Sequence, residues 1–390
     1  MEQAAFDVAG LYGFGEIITP IFEFTEVFAR TLGETSDVVS KEMYSFTDRG
    51  GESITLRPEG TAGVARALIS GGLSQSLPLK LFYRGPMFRY ERPQKGRQRQ
   101  FTQIGIELLG VEGPQADIEV IAIGWHILQK LGLSEHVVVE INSLGDTESR
   151  NAYRAALIEY LSGFKDKLSQ DSRDRLERNP LRVLDSKDEG DKAIVADAPL
   201  LINYLNAPSR TFFETVRNGL GKLGVPVQVN PRLVRGLDYY SHTAFEFITS
   251  ALGAQGTVMA GGRYDGLVGQ MGGPATSGIG WAAGVERLSM LMGDALEPVR
   301  RPVAVIPMGE GDEALLLAHR LRQAGYAVEM GYSGNMKKRL ARANKANARA
   351  AVILGEDELS RQAATVRDLD SGEQEEVPLS DLEVRLARFR

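Results

Sequence analysis

The hydrophobic pattern of this 390-residue chain changes character several times, and a single core cannot accommodate all of it. Short alternating apolar runs with glycine-rich turns fill residues 1–145 and return over 226–297, whereas 146–225 is charged and helical. After a linker at Pro298–Pro302, strand and helix patterns alternate to the end. We therefore predict a discontinuous core (1–145 and 226–297), a helical insertion domain (146–225) and a separate α/β domain (302–390).

The core pattern predicts an α+β fold built on an antiparallel sheet. One hairpin is expected over Met43–Leu56, and a longer one joins strands Leu79–Phe88 and Phe101–Leu109 through a polar, basic loop. A helix should begin near Thr61, whose hydroxyl suits an N-cap. The other predicted core elements are strands over Glu16–Thr19, Val137–Ile141, Tyr239–Ile248, Gly256–Ala260 and Thr276–Ala283, with one more near Val227, and helices over Gln115–Leu131 and from Val285.

The C-terminal region predicts a small α/β domain of ordinary size. A hairpin through Asp370-Ser371-Gly372 and a last helix follow its alternating elements. The predicted strands are Val303–Ile306, Ala327–Met330 and Ala350–Leu354, and the predicted helices are Glu313–Ala324 and Met336–Asn347.

Composition excludes several functional classes. The chain has no cysteine, so disulfides, thiolate zinc sites and a cysteine nucleophile are excluded, and a reducing cytoplasm fits. No run of about 18 apolar residues predicts a membrane span, and acidic Glu2 and Asp7 replace the basic start of a signal peptide. The net charge of −6 argues weakly against nucleic acid, but Arg89–Arg99 and Lys337–Arg349 are strongly basic.

One apparent nucleotide-binding motif is better interpreted as a helix end. Gly219–Gly224 has the glycine spacing of a dinucleotide-binding loop, but it follows a helical stretch instead of a strand. No GxxxxGK[ST] segment occurs either. Any use of ATP must therefore proceed without a P-loop.

The basic loop between the two long strands is the strongest single candidate for a phosphate or nucleic-acid site. Five cations fall within the eleven residues Arg89–Arg99. Arg89 lies at a strand end, where the backbone holds it, and its planar fork suits phosphate oxygens. Phe101 can stack on a base. The alternative is a solvated surface loop, which is what most charge runs are.

Polar side chains at three places in the core suggest a pocket. Glu59 lies at a strand-to-helix turn, where it can meet a substrate ammonium or simply sit at the positive helix end. Gln103 and Glu107 are four residues apart on one strand and face the same side. They indicate a wet pocket, or alternatively an open solvent face of the sheet.

Two further segments place arginine beside glycine. Arg235 in Leu233–Tyr240 can stabilise negative charge that develops during a reaction, or form a surface pair with Asp238. In Gly278–Leu288, a strand of small residues lets a flat group lie against the backbone, and Arg287 emerges from the first turn of the next helix. The alternative there is ordinary sheet packing with Arg287 exposed.

Taken in order, these segments resemble the class II aminoacyl-tRNA synthetases, and among them the histidyl-tRNA synthetase family. The resemblance runs from about Leu11 to the C-terminus. The strand ending at Pro20 matches the family's motif 1, Phe88–Glu107 its motif 2 and Gly280–Arg287 its motif 3. Leu233–Tyr240 and Ala260–Gly266 resemble the histidine-specific stretches.

The resemblance implies a class II catalytic core, a helical insertion and a C-terminal anticodon-binding domain. It implies ATP-dependent activation of L-histidine to histidyl-adenylate, followed by transfer of the histidyl group to the 3′ end of tRNA(His) in the cytoplasm. Mg²⁺ would accompany ATP, and no sequence motif supplies metal ligands. A homodimer through Ile17–Pro20 is also implied. Family members carry an Arg-Gly pair before the first helix, and this chain begins within that helix.

Residue roles also follow from the resemblance. Arg235 and Arg89 are the implied catalytic residues, which hold the α-phosphate and the substrate carboxylate. Arg97 and Arg287 would hold the outer phosphates, with Phe101 under the adenine. The implied histidine-binding set is Glu59, Thr61, Gln103, Glu107, Tyr239 and Tyr240.

Two regions are implied to bind tRNA. Arg92 and Gln94 would approach the acceptor end, whereas Lys337, Lys338 and Arg339 would follow phosphates near the anticodon. The alternative for the second region is a solvated helix face.

Three rival functions predict different residues. A regulatory paralogue that activates a phosphoribosyltransferase would lose the motif 2 and Arg235 stretches and the anticodon domain. A pure RNA-binding protein would not explain Glu59, Gln103 and Glu107. A synthetase for threonine or glycine would lack Arg235–Tyr240.

Overall fold

The structure is a computed structural model that describes residues 1–32, 36, 38–234, 239–253, 256–293, 300–309 and 312–389. The chain forms two compact units, residues 1–295 and 296–390. The predicted linker at Pro298–Pro302 lies partly outside the described residues.

The first unit contains eleven strands and ten α-helices among its described residues. Its strands are β1 (Gly15–Glu16), β2 (Phe22–Phe24), β3 (Tyr44–Thr47), β4 (Ser53–Leu56), β5 (Leu79–Phe88), β6 (Gln100–Leu109), β7 (Val138–Ser143), β8 (Val227–Val229), β9 (Ser241–Ile248), β10 (Thr257–Arg263) and β11 (Gly278–Gly284). Its helices are α1 (Glu2–Leu11), α2 (Thr25–Leu32), α3 (Thr61–Ser70), α4 (Gln115–Lys130), α5 (Thr147–Ser162), α6 (Gln170–Arg178), α7 (Glu189–Val195), α8 (Ala207–Lys222), α9 (Leu267–Gln270) and α10 (Val285–Met292).

Eight strands form one sheet in the order β1-β5-β6-β11-β10-β9-β7-β8, and β2-β4-β3 form a smaller one. The large sheet is antiparallel except at its two edges, where β1 pairs with β5 and β8 pairs with β7 in parallel. In its centre Gly280 lies opposite Glu107 on one side and Gly262 on the other. The predicted α+β fold with an antiparallel sheet is confirmed.

Helix α4 packs its apolar side chains against this sheet. Val120, Ile121 and Ile127 have no exposed surface, and the indole Nε1 of Trp281 on β11 donates to the Val120 carbonyl at 2.9 Å. Helix α8 lies against α4, and a Cβ atom at Gly219 would stand 2.3 Å from the Ile118 side chain. The Gly219–Gly224 segment thus contains the end of α8, as predicted, and Gly219 allows α8 to pack closely on α4.

The charged stretch after Asp146 is helical, as predicted, and contains α5 to α8. Asp191 on α7 accepts hydrogen bonds from the hydroxyls of Ser169, Ser172 and Ser186. These bonds lower the pKa of Asp191 to about 2, against the opposing effect of burial.

Two local predictions in the first unit are wrong. The strand expected over Glu16–Thr19 ends at Glu16, because only Gly15 and Glu16 pair with β5 in register. Thr61 is not the N-cap of α3: Gly60 occupies that position, and the Thr61 hydroxyl bonds elsewhere.

The second unit is a five-stranded sheet in the order β13-β12-β14-β15-β16 with helices around it. Its strands are β12 (Val303–Pro307), β13 (Val328–Met330), β14 (Ala350–Leu354), β15 (Ala363–Asp368) and β16 (Gln374–Pro378), and its helices are α11 (Glu313–Gln323), α12 (Met336–Lys345), α13 (Glu356–Ser360) and α14 (Leu382–Leu386). The alternating elements, the hairpin and the last helix are as predicted. The short α13 was not predicted.

Among the helices that the structure describes, none has the length and apolar character that crossing a membrane requires.

Candidate active site

A cavity of about 280 Å³ opens over the centre of the large sheet. Its walls come from the β4–α3 turn, the hairpin of β5 and β6, strands β10 and β11, and the start of α10. Nine of the predicted site residues line it: Glu59, Thr61, Arg89, Arg97, Phe101, Gln103, Tyr239, Tyr240 and Arg287. Several elements around the centre of the sheet thus bring together side chains that are far apart in sequence.

Glu59 caps helix α3 with its side chain. Its two carboxylate oxygens accept the backbone N–H groups of Thr61 and Ala62 at 2.7 and 2.8 Å. The side chain is 5% exposed, and burial raises the pKa of its carboxyl, although both backbone hydrogen bonds oppose the rise. Because Glu59 provides the cap, the Thr61 hydroxyl is available to point into the site.

Glu107 lies in a buried polar pocket beneath the cavity. The Thr61 hydroxyl donates to Glu107 Oε1 at 2.6 Å, and the Tyr264 hydroxyl donates to Oε2. Glu107 is 1% exposed, and burial raises its pKa to about 8 despite these two donors. A Cβ atom at Gly280 would stand 1.9 Å from Oε2, so glycine is required opposite this carboxyl.

Gln103 shares the face of β6 that carries Glu107. Its Oε1 accepts the backbone N–H of Gly60 at 3.2 Å and the Tyr83 hydroxyl at 3.5 Å. Gln103 is 8% exposed, so the alternative of an open solvent face is wrong. Of the two polar side chains on this strand, Gln103 lines the cavity and Glu107 is buried beneath it.

Two tyrosines in the site were not predicted. Tyr264 lines the cavity and donates to Glu107, and Tyr83 lies beside Gln103. The Ala260–Gly266 stretch was noted for its resemblance, but it does not reveal which group Tyr264 meets. That partner is 157 positions away in sequence, and only strand register brings the two together.

Arginine side chains also line this cavity, together with the carboxylates of Glu91, Glu246 and Glu286. Arg89 is held by a bond from Nε to the Pro58 carbonyl at 2.9 Å, and its guanidinium lies 5.4 Å from the Phe101 ring centre. Arg97 Nη1 lies 3.1 Å from Glu91 Oε2. The predicted phosphate-binding arginine and aromatic ring are therefore in contact.

Arg287 is half-buried, so the alternative of an exposed side chain is wrong. It donates to the carbonyls of Gly96 and Thr257 at 3.2 and 2.8 Å. Burial lowers its pKa, and the neighbouring positive charges of Arg97 and Arg89 lower it further. Three guanidiniums so close together favour a bound polyanion.

Arg235, together with residues 236–238, lies outside the described residues. The tyrosines that follow are described: Tyr239 and Tyr240 are 4% and 8% exposed, with ring centres 4.5 Å apart. Their side chains face the cavity from the side of β9.

The predicted tRNA-binding residues do not line this cavity. Arg92 and Gln94 are exposed on the β5–β6 loop, where Gln94 and Arg97 close a tight turn. In the second unit, Lys337 and Lys338 are exposed in the first turn of α12, whereas Arg339 is half-buried.

A second cavity of about 720 Å³ lies between helices α5 and α6 and the segment after α6. Arg150 donates from Nη1 to the Tyr240 carbonyl at 2.8 Å, and Tyr240 lines both cavities. Seven of its lining residues are cations: Lys41, Arg150, Arg154, Arg175, Arg178, Arg182 and Lys187. Sequence reasoning missed this site, because its cations are spread over almost 150 positions.

An antiparallel sheet whose central cavity combines buried carboxylates with arginines and an aromatic ring is the arrangement of a class II aminoacyl-tRNA synthetase core. The family model described as histidyl-tRNA synthetase matches residues 1–288, and the model described as anticodon binding domain matches residues 302–388. The chain belongs to the histidyl-tRNA synthetase family.

Individual relatives agree with this assignment. A histidine–tRNA ligase of Rhodospirillum rubrum is 66% identical over 391 residues, covering 100% of this chain and 94% of that protein. One from Gluconacetobacter diazotrophicus is 60% identical over 387 residues, covering 99% and 93%. The crystal structure of apo S. aureus histidyl-tRNA synthetase matches with a TM-score of 0.82 at 35% identity, covering 98% of this chain and 94% of that one.

Proposed function

We propose that this chain uses ATP to convert L-histidine into histidyl-adenylate and then transfers the histidyl group to the 3′ end of tRNA(His). The observation that carries the proposal is one cavity that brings Glu59, with Glu107 buried beneath it, together with the cavity-lining arginines Arg89, Arg97 and Arg287. The carboxylates suit the cationic and hydrogen-bonding groups of histidine, and the arginines suit a polyphosphate.

The buried carboxylates and their polar neighbours would recognise histidine. A neutral imidazole has one donor and one acceptor, and Glu107 and Tyr240 contact its two nitrogens in this proposal. Glu59, Thr61 and Gln103 receive the α-ammonium, with Tyr239 packed beside them. Buried polar groups of this kind reject an amino acid that leaves them unpaired, which is the source of specificity.

The arginines would stabilise the phosphates. When the histidine carboxylate attacks the α-phosphate, negative charge grows there and on the departing pyrophosphate. Arg89 and Arg235 hold the α-phosphate and the attacking carboxylate, whereas Arg97 and Arg287 hold the outer phosphates. Guanidiniums suit this role because they stay charged and, once fixed by backbone carbonyls, need little reorganisation. Phe101 lies under the adenine.

Mg²⁺ would arrive with ATP as part of the substrate. The carboxylates of Glu91 and Glu246 line the same cavity as the arginines, and carboxylate oxygens are the ligands that Mg²⁺ prefers. These two side chains would hold the ion, which supplies charge neutralisation for the outer phosphates.

For tRNA, Arg92 and Gln94 approach the acceptor end, and Lys337, Lys338 and Arg339 follow phosphates near the anticodon. Their exposure on the loop and on α12 supports these roles, except that Arg339 is only half-exposed. The cationic lining of the larger cavity beside Tyr240 also suits RNA phosphates.

The enzyme would act as a homodimer in the cytoplasm. Exposed apolar side chains cluster around the predicted Ile17–Pro20 contact: Ile18, Ile21, Phe22, Phe24 and Phe46 are 45–81% exposed. A patch of this kind on a folded protein marks an association surface.

We also propose the division into a core (1–145 and 226–297), a helical insertion (146–225) and an anticodon-binding domain (302–390).

The experiment is exchange of labelled pyrophosphate into ATP with each of the twenty amino acids, for the wild type and for Arg235→Ala. Exchange with histidine alone, largely lost in the variant, is expected. Folded protein that supports no exchange with any amino acid would refute the proposed function.

A further inference from the structure

A fully buried ion pair lies directly beside Tyr264, a residue of the cavity wall that contacts Glu107. Arg263, the last residue of β10, has no exposed side-chain surface and pairs with Asp117 of α4, which is equally buried. Its guanidinium also donates to Asp265 Oδ1 at 3.0 Å and lies 5.2 Å from the ring centre of Phe212 on α8. We call Arg263, Asp117 and Asp265 the arginine clamp.

The clamp uses every donor that arginine has. Nε donates to Asp117, Nη1 to the Val111 carbonyl and Asp265, and Nη2 to the Gly113 carbonyl and Asp117. An arginine has five N–H groups, and all five are satisfied. Lysine, with three donors and no planar fork, cannot reproduce this set.

Tyr264 lies between the clamp residues Arg263 and Asp265 in the sequence. Its backbone N–H donates to the Gly278 carbonyl at 2.7 Å, and a Cβ atom at Gly278 would stand 2.2 Å from its ring. Its hydroxyl donates to Glu107 Oε2. Fixing Arg263 and Asp265 to each other and to α4 therefore fixes the backbone that aims this hydroxyl.

We propose that Arg263, Asp117 and Asp265 are positioning residues for histidine recognition, which act by aiming Tyr264 at Glu107. The inference rests on the proposed function, in which Glu107 meets the imidazole. A role in stability alone is a weak explanation, because replacing a buried ion pair with apolar side chains of similar volume is often neutral or stabilising in proteins. A binding group is placed precisely only when the residues that support it are rigid. The guanidinium of Arg263 provides such rigid support for Tyr264.

The test compares the KM values for histidine and for ATP in pyrophosphate exchange. Arg263→Lys keeps the charge beside Asp117 but loses the contact with Asp265. We expect the KM for histidine to rise roughly ten-fold, the effect of weakening one charge-assisted hydrogen bond, with the KM for ATP changing less than about two-fold. The matched control is Ile121→Ala, on the same helix as Asp117, which destabilises the core and leaves the clamp intact.

A second variant keeps the test decisive if Arg263→Lys folds poorly. Asp265→Ala removes a partly exposed clamp residue, whose side chain is 33% exposed, and should raise the KM for histidine in the same selective way. The inference is overturned if the folded variants keep the wild-type KM for histidine, or if Ile121→Ala raises that KM equally. A wild type that shows no histidine-dependent exchange would instead refute the proposed function itself.

Discussion

Replacing Glu107 by glutamine should make the protein more stable at alkaline pH while impairing histidine recognition. Burial raises the pKa of Glu107 to about 8 from an ordinary value of 4.5. Between these two pH values the folded protein holds a proton that the unfolded chain has released. The free energy of unfolding therefore falls as pH rises from about 4.5 to about 8, and is constant above that range.

The size of the effect follows from the same two values. A rise from 4.5 to about 8 corresponds to about 5 kcal/mol of unfolding free energy lost across the range. Glutamine does not ionise, so the variant does not lose this unfolding free energy as pH rises. Its amide group must, however, form a different set of hydrogen bonds with the hydroxyls of Thr61 and Tyr264, at a cost of about 1–2 kcal/mol. Glu107→Gln should therefore be about 3 kcal/mol more stable than the wild type at pH 8.5 and slightly less stable at pH 5.

Tryptophan fluorescence during urea unfolding measures the difference in unfolding free energy between Glu107→Gln and the wild type. The chain has two tryptophans, Trp125 and Trp281, and both lie in the first unit. Glu59 and Asp117, whose pKa values are also raised by burial, are present in both proteins, so their contributions largely cancel in the difference. A stability difference that does not change between pH 5 and pH 8.5, or that favours the wild type throughout, would refute the reasoning.

Three further changes test other parts of the site. Gly280→Ala should reduce histidine-dependent exchange at least 100-fold, because its Cβ would stand 1.9 Å from Glu107 Oε2; wild-type exchange from this variant would contradict that steric account. Arg89→Lys keeps the charge but loses the fork, and kcat for exchange should fall roughly 100-fold in rapid-quench assays; an unchanged kcat counts against a role at the α-phosphate. The double change Lys337→Glu with Lys338→Glu should raise the KM for tRNA about ten-fold and reduce its salt dependence, with exchange unaltered; an unchanged KM for tRNA assigns these lysines to a solvated helix face.

Elements with a strong local signal could be predicted from the sequence. The hairpin of β5 and β6 was predicted within one residue at each end, because both strands carry apolar runs and the loop between them is polar. Helix α4 was equally clear from its apolar spacing and from Gly132 after its end. Polar Gln103 and Glu107 on one strand indicated a pocket because strand alternation fixes which residues share a face.

Contacts set by strand register and helix packing could not be predicted. Thr61 has the local features of a cap, yet Glu59 caps the helix and Thr61 turns to Glu107, 46 positions away. The bond from Tyr264 to Glu107 and the pairing of Arg263 with Asp117 span 157 and 146 positions. No local pattern marks such partners, because they depend on which strands become neighbours.

The central claim is that this chain attaches histidine, and no other amino acid, to tRNA. The direct measurement is incorporation of each labelled amino acid into tRNA(His) in the presence of ATP, with periodate-oxidised tRNA(His), which lacks reactive 3′ hydroxyls, as the control. We expect close to one histidine per intact tRNA, bound through a base-labile ester, and none on the oxidised tRNA. Histidine-dependent pyrophosphate exchange without any charging of intact tRNA, or charging with another amino acid, would contradict it.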